Sequence, residues 1–159
     1  MKTLKKIQQR NSARILIDPK PSDDELNEIY KAALRAPDHA WLRPTKFIQV
    51  MESGLNKLSD IFEKVAIETK DNIPTEIMDK YKKAPFRAPL IIIVVSSYKH
   101  HPKVPNIEQK LSSAAAAQNI LLAADDLGYG AIWRTGIFAF NENINKYLNL
   151  SDDDTVIGY

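Results

Sequence analysis

A chain of 159 residues is long enough for one domain with a substantial core and too short for two ordinary ones. With 44% apolar residues, 26% charged residues and a formal net charge of +2, it reads as globular, and no continuous basic tract points to nucleic acid. The absence of cysteine excludes disulfides, thiolate metal sites and cysteine nucleophiles.

In chain order, Thr3 to Gln9 predicts a short helix with Leu4 and Ile7 on one face. The basic stretch Met1 to Arg10 has no apolar run behind it and is not read as a signal peptide. Ala13 to Ile17 reads as extended, ended by Asp18-Pro19-Lys20-Pro21. Ser22-Asp23-Asp24-Glu25 has the capping-box pattern and opens a helix with Leu26, Ile29, Tyr30 and Ala33 at helical spacing, ending near Arg35.

Lys46 to Met51 predicts a strand, and Leu55, Leu58, Ile61, Phe62 and Val65 mark an amphipathic helix. Ile77 to Lys83 is a shorter basic helix. Leu90 to Val95 is apolar at every position, which suits a central strand covered on both faces, and it is too short to cross a bilayer. Glu108 to Leu127 predicts a long helix whose small residues, Ser112 to Ala117, suit close packing in the core or at a dimer seam. Gly128-Tyr129-Gly130 stops it. Ala131 to Trp133 predicts a short strand, Asn141 a cap for a last helix reaching about Leu148, and Thr155 to Tyr159 a final strand. Without regular βαβ alternation the pattern favours α+β over a doubly wound sheet.

The usual signatures of phosphate-binding loops and serine elbows are missing. His39, His100 and His101 lack the spacing of a helical metal pair, so no metal is expected. Three sets of residues remain. Arg10, Ser12 and Arg14 would face one way in an extended segment and could cradle an anion; a solvated N-terminal edge fits the spacing equally well. Arg35-Ala36-Pro37-Asp38-His39 follows a helix, where Arg35 could bind a ligand or merely complement the helix C-terminus. Trp133-Arg134-Thr135-Gly136 could form a shelf for a flat ligand, or Trp133 could be core.

Taken together and in order, these pieces resemble the nitroreductase family, closest to its small bacterial YdjA-like branch. Ala84-Pro85-Phe86-Arg87-Ala88-Pro89 and Lys103-Val104-Pro105 match as well, and the resemblance spans about residues 4 to 158. It implies a nitroreductase-like α+β fold, a central mostly antiparallel sheet flanked by helices, in a homodimer with two FMN molecules at the subunit interface. It further implies an NAD(P)H oxidoreductase that passes hydride through FMN to nitro compounds, quinones or a similar small acceptor. Charge, spacing and the lack of a signal peptide or membrane span lead to no expected nucleic acid, membrane or metal partner and to the cytoplasm as the default address.

By that resemblance, Arg10, Asn11 and Ser12 would meet the FMN phosphate and ribityl chain, and Arg14 the pyrimidine edge. Arg35 and His39 would contact FMN from the opposite subunit, and Trp133, Arg134 and Thr135 would line the flavin. Ala123 to Gly128 would correspond to a segment linked to NAD(P). No catalytic side chain is required, because the redox chemistry resides on FMN. The alternative on the same fold is a non-redox FMN-binding or dimerisation module. Two departures stand out. Ala40-Trp41-Leu42-Arg43-Pro44-Thr45 replaces a Gln-Pro-Trp pattern, so Trp41 and Arg43 are expected to reshape the pocket mouth. The chain also stops at Tyr159, so the expectation is a single domain, 1–159, in which the family's C-terminal arm is missing, either because the sequence is cut short or because the arm is truly lost.

Overall fold

The computed structural model describes residues 3–159. Met1 and Lys2, which open the basic N-terminal stretch, lie outside the described residues. Three strands form one antiparallel sheet in the order β1 (Thr45–Met51), β2 (Leu90–Ser97), β3 (Asp154–Gly158). Among the described residues seven α-helices surround it: α1 (Thr3–Gln9), α2 (Asp23–Ala33), α3 (Ser53–Thr69), α4 (Thr75–Lys83), α5 (Asn106–Asp126), α6 (Gly136–Ala139) and α7 (Asn143–Tyr147). The α+β expectation and the antiparallel sheet are borne out.

β2 is central because both of its faces are covered. Alternation along a strand sends neighbours to opposite faces. Ile93 and Val95 accordingly join Val50, Leu58, Phe62, Val65, Phe138 and Val156 in one core. Val94 joins Leu26, Ile29, Ala33, Ala116, Ala117 and Ile120 in the other. The first core lies under α3, α6 and α7; the second under α2 and α5. In the first, the rings of Phe62 and Phe138 stack at 4.0 Å. β1 pairs with β2 from Leu90 to Ser96, whereas β3 pairs only from Val94 to Ser97. The remaining edge of β2, near Leu90, Ile91 and Ile92, borders an apolar cavity of about 770 Å³ that Ile15 and Ile17 also line.

The capping box of α2 forms as its sequence demands. The Ser22 amide donates to Glu25 Oε2 at 2.8 Å, and the Glu25 amide donates to Ser22 Oγ at 3.4 Å. Asn141 likewise accepts the Asn143 amide at 2.9 Å at the start of α7. Two local expectations fail. Ala13 to Ile17 makes no ladder and bends at Arg14 and Ile15, so the two-residue alternation across Arg10, Ser12 and Arg14 does not hold. Its backbone instead spends single bonds on two different loops, Ala13 to the Ala131 carbonyl and Leu16 to the Arg87 carbonyl. Ala131 to Trp133 is not a strand either. Only Arg134 exchanges a bond pair with a partner, Tyr159, at 3.0 and 2.8 Å.

Candidate functional site

The candidate residues divide between the two ends of α5. At its C-terminal end, Lys6 of α1 donates to the Asp125 carbonyl at 3.1 Å and pairs with the Asp125 and Asp126 carboxylates at 3.6 and 3.5 Å. A cation there also complements the helix dipole. This docks α1 on α5 and sets the position of Arg10, whose amide closes the last turn of α1 onto the Lys6 carbonyl. The Arg10 guanidinium donates to the Asn11 carbonyl at 2.5 Å and to Ser12 Oγ at 3.4 Å, so Arg10 and Ser12 do meet. Arg14, at the bend, lines the cavity.

The segment after α5 comes to the same end. Ala131 is bonded to Ala13, and Gly130 packs so tightly that an added Cβ would lie 2.9 Å from Leu16 Cδ2. Trp133 is half-buried, its Nε1 donating to the Ile157 carbonyl at 3.2 Å. It lies over Gly158, where a Cβ would come within 2.1 Å of Nε1. Trp133 is thus fastened to β3, with Arg134 exposed and Thr135 half-buried beside it. Tyr129 reaches back to α2, donating to Glu25 Oε2 at 2.9 Å. That carboxyl is held below its usual range by the Ser22 amide, then by the Ser22 and Tyr129 hydroxyls. The structure therefore brings Arg10, Asn11, Ser12, Arg14, Trp133, Arg134 and Thr135 to one end of the molecule. The Ala123–Gly128 segment is the last turn of α5 and its cap, with Ala124 in the core.

Arg35 lies just past the end of α2, its amide bonded to the Ala32 carbonyl that also accepts from Asn119 in the middle of α5, and His39 lies farther off at the other end. His39 Nδ1 lies 2.7 Å from Glu108 Oε2, in the first turn of α5. Eighteen residues separate Glu108 from Asp126, about 27 Å of helix. The loop they belong to is held by Asp38, which accepts the Leu42 amide at 3.2 Å and the Arg43 amide at 2.8 Å. Sequence reasoning missed Asp38, Glu108, Glu25 and Gly158 as supports. Asp38 lay inside a recognised motif, but its bonds depend on positive φ at Ala40 and Trp41, which no glycine announces.

Charge is distributed unevenly. Every ion pair among the described residues uses a lysine or His39, and no arginine takes part. Arg14, Arg35 and Arg134 are exposed and Arg10 is half-buried. Fixed guanidinium groups without counter-ions attract anions, phosphate above all. Among the described residues no group of three His, Cys, Asp or Glu side chains could hold a metal ion, and no helix is long and apolar enough to cross a membrane.

Comparison with known proteins identifies the family. The model of the "Nitroreductase family" matches residues 7–159. The Escherichia coli protein named "Putative NAD(P)H nitroreductase YdjA" is 33% identical over the whole chain, which covers 86% of that protein. A nitroreductase-like protein from Bacillus cereus superposes with a TM-score of 0.87 at 21% identity, over 99% of this chain and 82% of that one. A nitroreductase with bound FMN from Bacteroides fragilis superposes with a TM-score of 0.74 at 23% identity, over 99% and 85%. The two structures show the fold; the family model and the E. coli relative show the kinship, and this chain is a member of the nitroreductase family.

Proposed function

We propose that the chain is an FMN-dependent NAD(P)H oxidoreductase that works as a homodimer, each flavin site being built from both subunits. The observation that carries this is the separation of the candidate residues by the length of α5. Arg10, Ser12, Trp133 and Arg134 at one end and His39 at the other cannot close on one nucleotide within a single protomer. A two-fold dimer with α5 packed antiparallel on its copy brings each end onto its opposite, since an isologous interface pairs i with j and j with i. α5 offers a face for this. Ile107 and Leu111 are 59% and 60% exposed, and Ala114, Gln118 and Leu122 continue the stripe half-buried.

The residues present fit FMN. Arg10 with Ser12 suits a phosphate, and exposed Arg14 and Arg134 suit the negative charge of a reduced pyrimidine ring. Trp133 offers an aromatic wall fastened to β3. When bound, FMN supplies the relay of two electrons from NAD(P)H to an acceptor. The protein's part is to bind, orient and exclude water. For a nitro acceptor the balance is Ar–NO2 + NAD(P)H + H⁺ → Ar–NO + NAD(P)⁺ + H2O. The printed name of the E. coli relative, "Putative NAD(P)H nitroreductase YdjA", supports the reductant, and the FMN of the B. fragilis structure supports the cofactor.

The test is the visible spectrum of the purified protein after incubation with FMN and desalting, repeated without oxygen after NADH or NADPH is added. Bound flavin bands that bleach are expected. Bands that persist with both nucleotides would make it a flavin-binding module, and no retained flavin would remove the cofactor assignment.

A further inference from the structure

The loop from Asp38 to Arg43 is strained in a way its packing does not explain. Ala40, Trp41 and Arg43 hold φ of +57°, +55° and +52°, a region that side-chain-bearing residues rarely occupy. Trp41 gains little burial in return, being 71% exposed. The conformation is imposed from both sides. Asp38 holds the Leu42 and Arg43 amides, and buried Pro44 ties the next turn to the sheet by accepting the Ser97 amide at 2.7 Å.

What the loop displays is a pair. The Arg43 guanidinium stands 4.7 Å from the centre of the Trp41 ring. Arg43 belongs to no ion pair among the described residues. The carboxylates nearest in the loop and its support are already committed, Asp38 to two amides and Glu108 to His39. A cation held on an aromatic plate, with its own donors free, suits a ligand that is flat and anionic.

On the two-subunit reading, on which this inference rests, His39 reaches the partner's flavin. Trp41 and Arg43 follow it in the same loop and come to the rim through which an acceptor enters. We propose that Trp41 and Arg43 are the acceptor-selecting residues, favouring planar aromatic acceptors that carry a carboxylate. The guanidinium takes the carboxylate and the indole packs against the ring. The carboxylate is unchanged in the reaction balanced above and serves recognition alone.

The probe is 4-nitrobenzoate, compared with the neutral 4-nitrobenzyl alcohol. With FMN-loaded enzyme and NAD(P)H, the anion should have the higher kcat/KM by about tenfold, through KM. Arg43→Gln should abolish that preference while keeping flavin content and turnover of the alcohol; Lys57→Ala, on an exposed face of α3, should preserve it. A second readout does not depend on turnover. The chain has two tryptophans, so its NMR spectrum has two indole N–H signals, and 4-nitrobenzoate should move that of Trp41 in the wild type with weaker binding in Arg43→Gln. Equal kcat/KM for the two probes, or an unchanged preference and Trp41 shift in Arg43→Gln, overturns the proposal. Failure to retain or reduce flavin, read from the spectrum before any acceptor is added, overturns instead the reading beneath it.

Discussion

The two ends of α5 are built by different means. At the C-terminal end the candidate residues are fixed mainly by backbone, with the Lys6 side chain docking α1. Ala13 bonds Ala131, Arg134 exchanges two bonds with Tyr159, and glycines at 130 and 158 allow chains to touch. At the N-terminal end the loop from Asp38 to Arg43 is held by side chains, through Asp38 and the His39–Glu108 contact, around strained backbone. Backbone contacts give a wall that changes little with sequence. Side-chain contacts give a rim that a few substitutions can reshape. This division suits a site in which one end holds a common cofactor and the other chooses what reacts with it.

The wall can be broken most severely at Gly158. In Gly158→Ala the new methyl would lie 2.1 Å from Trp133 Nε1, 2.5 Å from Cδ1 and 2.9 Å from the Arg134 carbonyl, so the indole must leave its bond to Ile157. The expected cost is about 1–3 kcal/mol, or several degrees in Tm, together with a shifted flavin absorption band. An unchanged Tm and spectrum would show that Trp133 is not fastened as described.

A smaller effect sharpens the comparison at the Tyr129–Glu25 link, which ties the wall to α2. The Glu25 carboxyl is depressed in the folded chain, first by the Ser22 amide. A depressed carboxyl contributes stability that is present above its unfolded pKa and lost as pH falls through the folded one. Wild type should therefore melt above Glu25→Gln at pH 7, and the gap should close below about pH 4. A gap independent of pH would mean that the carboxylate charge contributes nothing.

How legible was all this beforehand? Strong periodicity and local chemistry carried through. The capping box at Ser22 formed, and the all-apolar run at 90–95 became the central strand, because burial on both faces leaves no choice of pattern. The segments 13–17 and 131–133 were misread because their apolar residues face a cavity and neighbouring loops, which mimics strand composition without a ladder. The motifs named nine candidate residues, yet their order could not show that α5 holds His39 apart from the Arg10 and Trp133 segments. That separation depends on helix length and on two side-chain contacts, Lys6 with Asp125 and His39 with Glu108.

The central claim is that each site takes one end of α5 from each copy, and subunit mixing tests it most directly. Arg10→Ala and His39→Ala would each be prepared alone, then unfolded together, refolded and incubated with FMN. Each variant alone should lose flavin at both sites. In the mixture, half of the dimers carry one copy of each variant and concentrate both lesions in one site, leaving the other intact. About a quarter of all sites should then regain flavin. Recovery near that level would show that Arg10 and His39 serve one flavin from different subunits. No recovery, with wild type refolding and reloading under the same conditions, would contradict the two-subunit site.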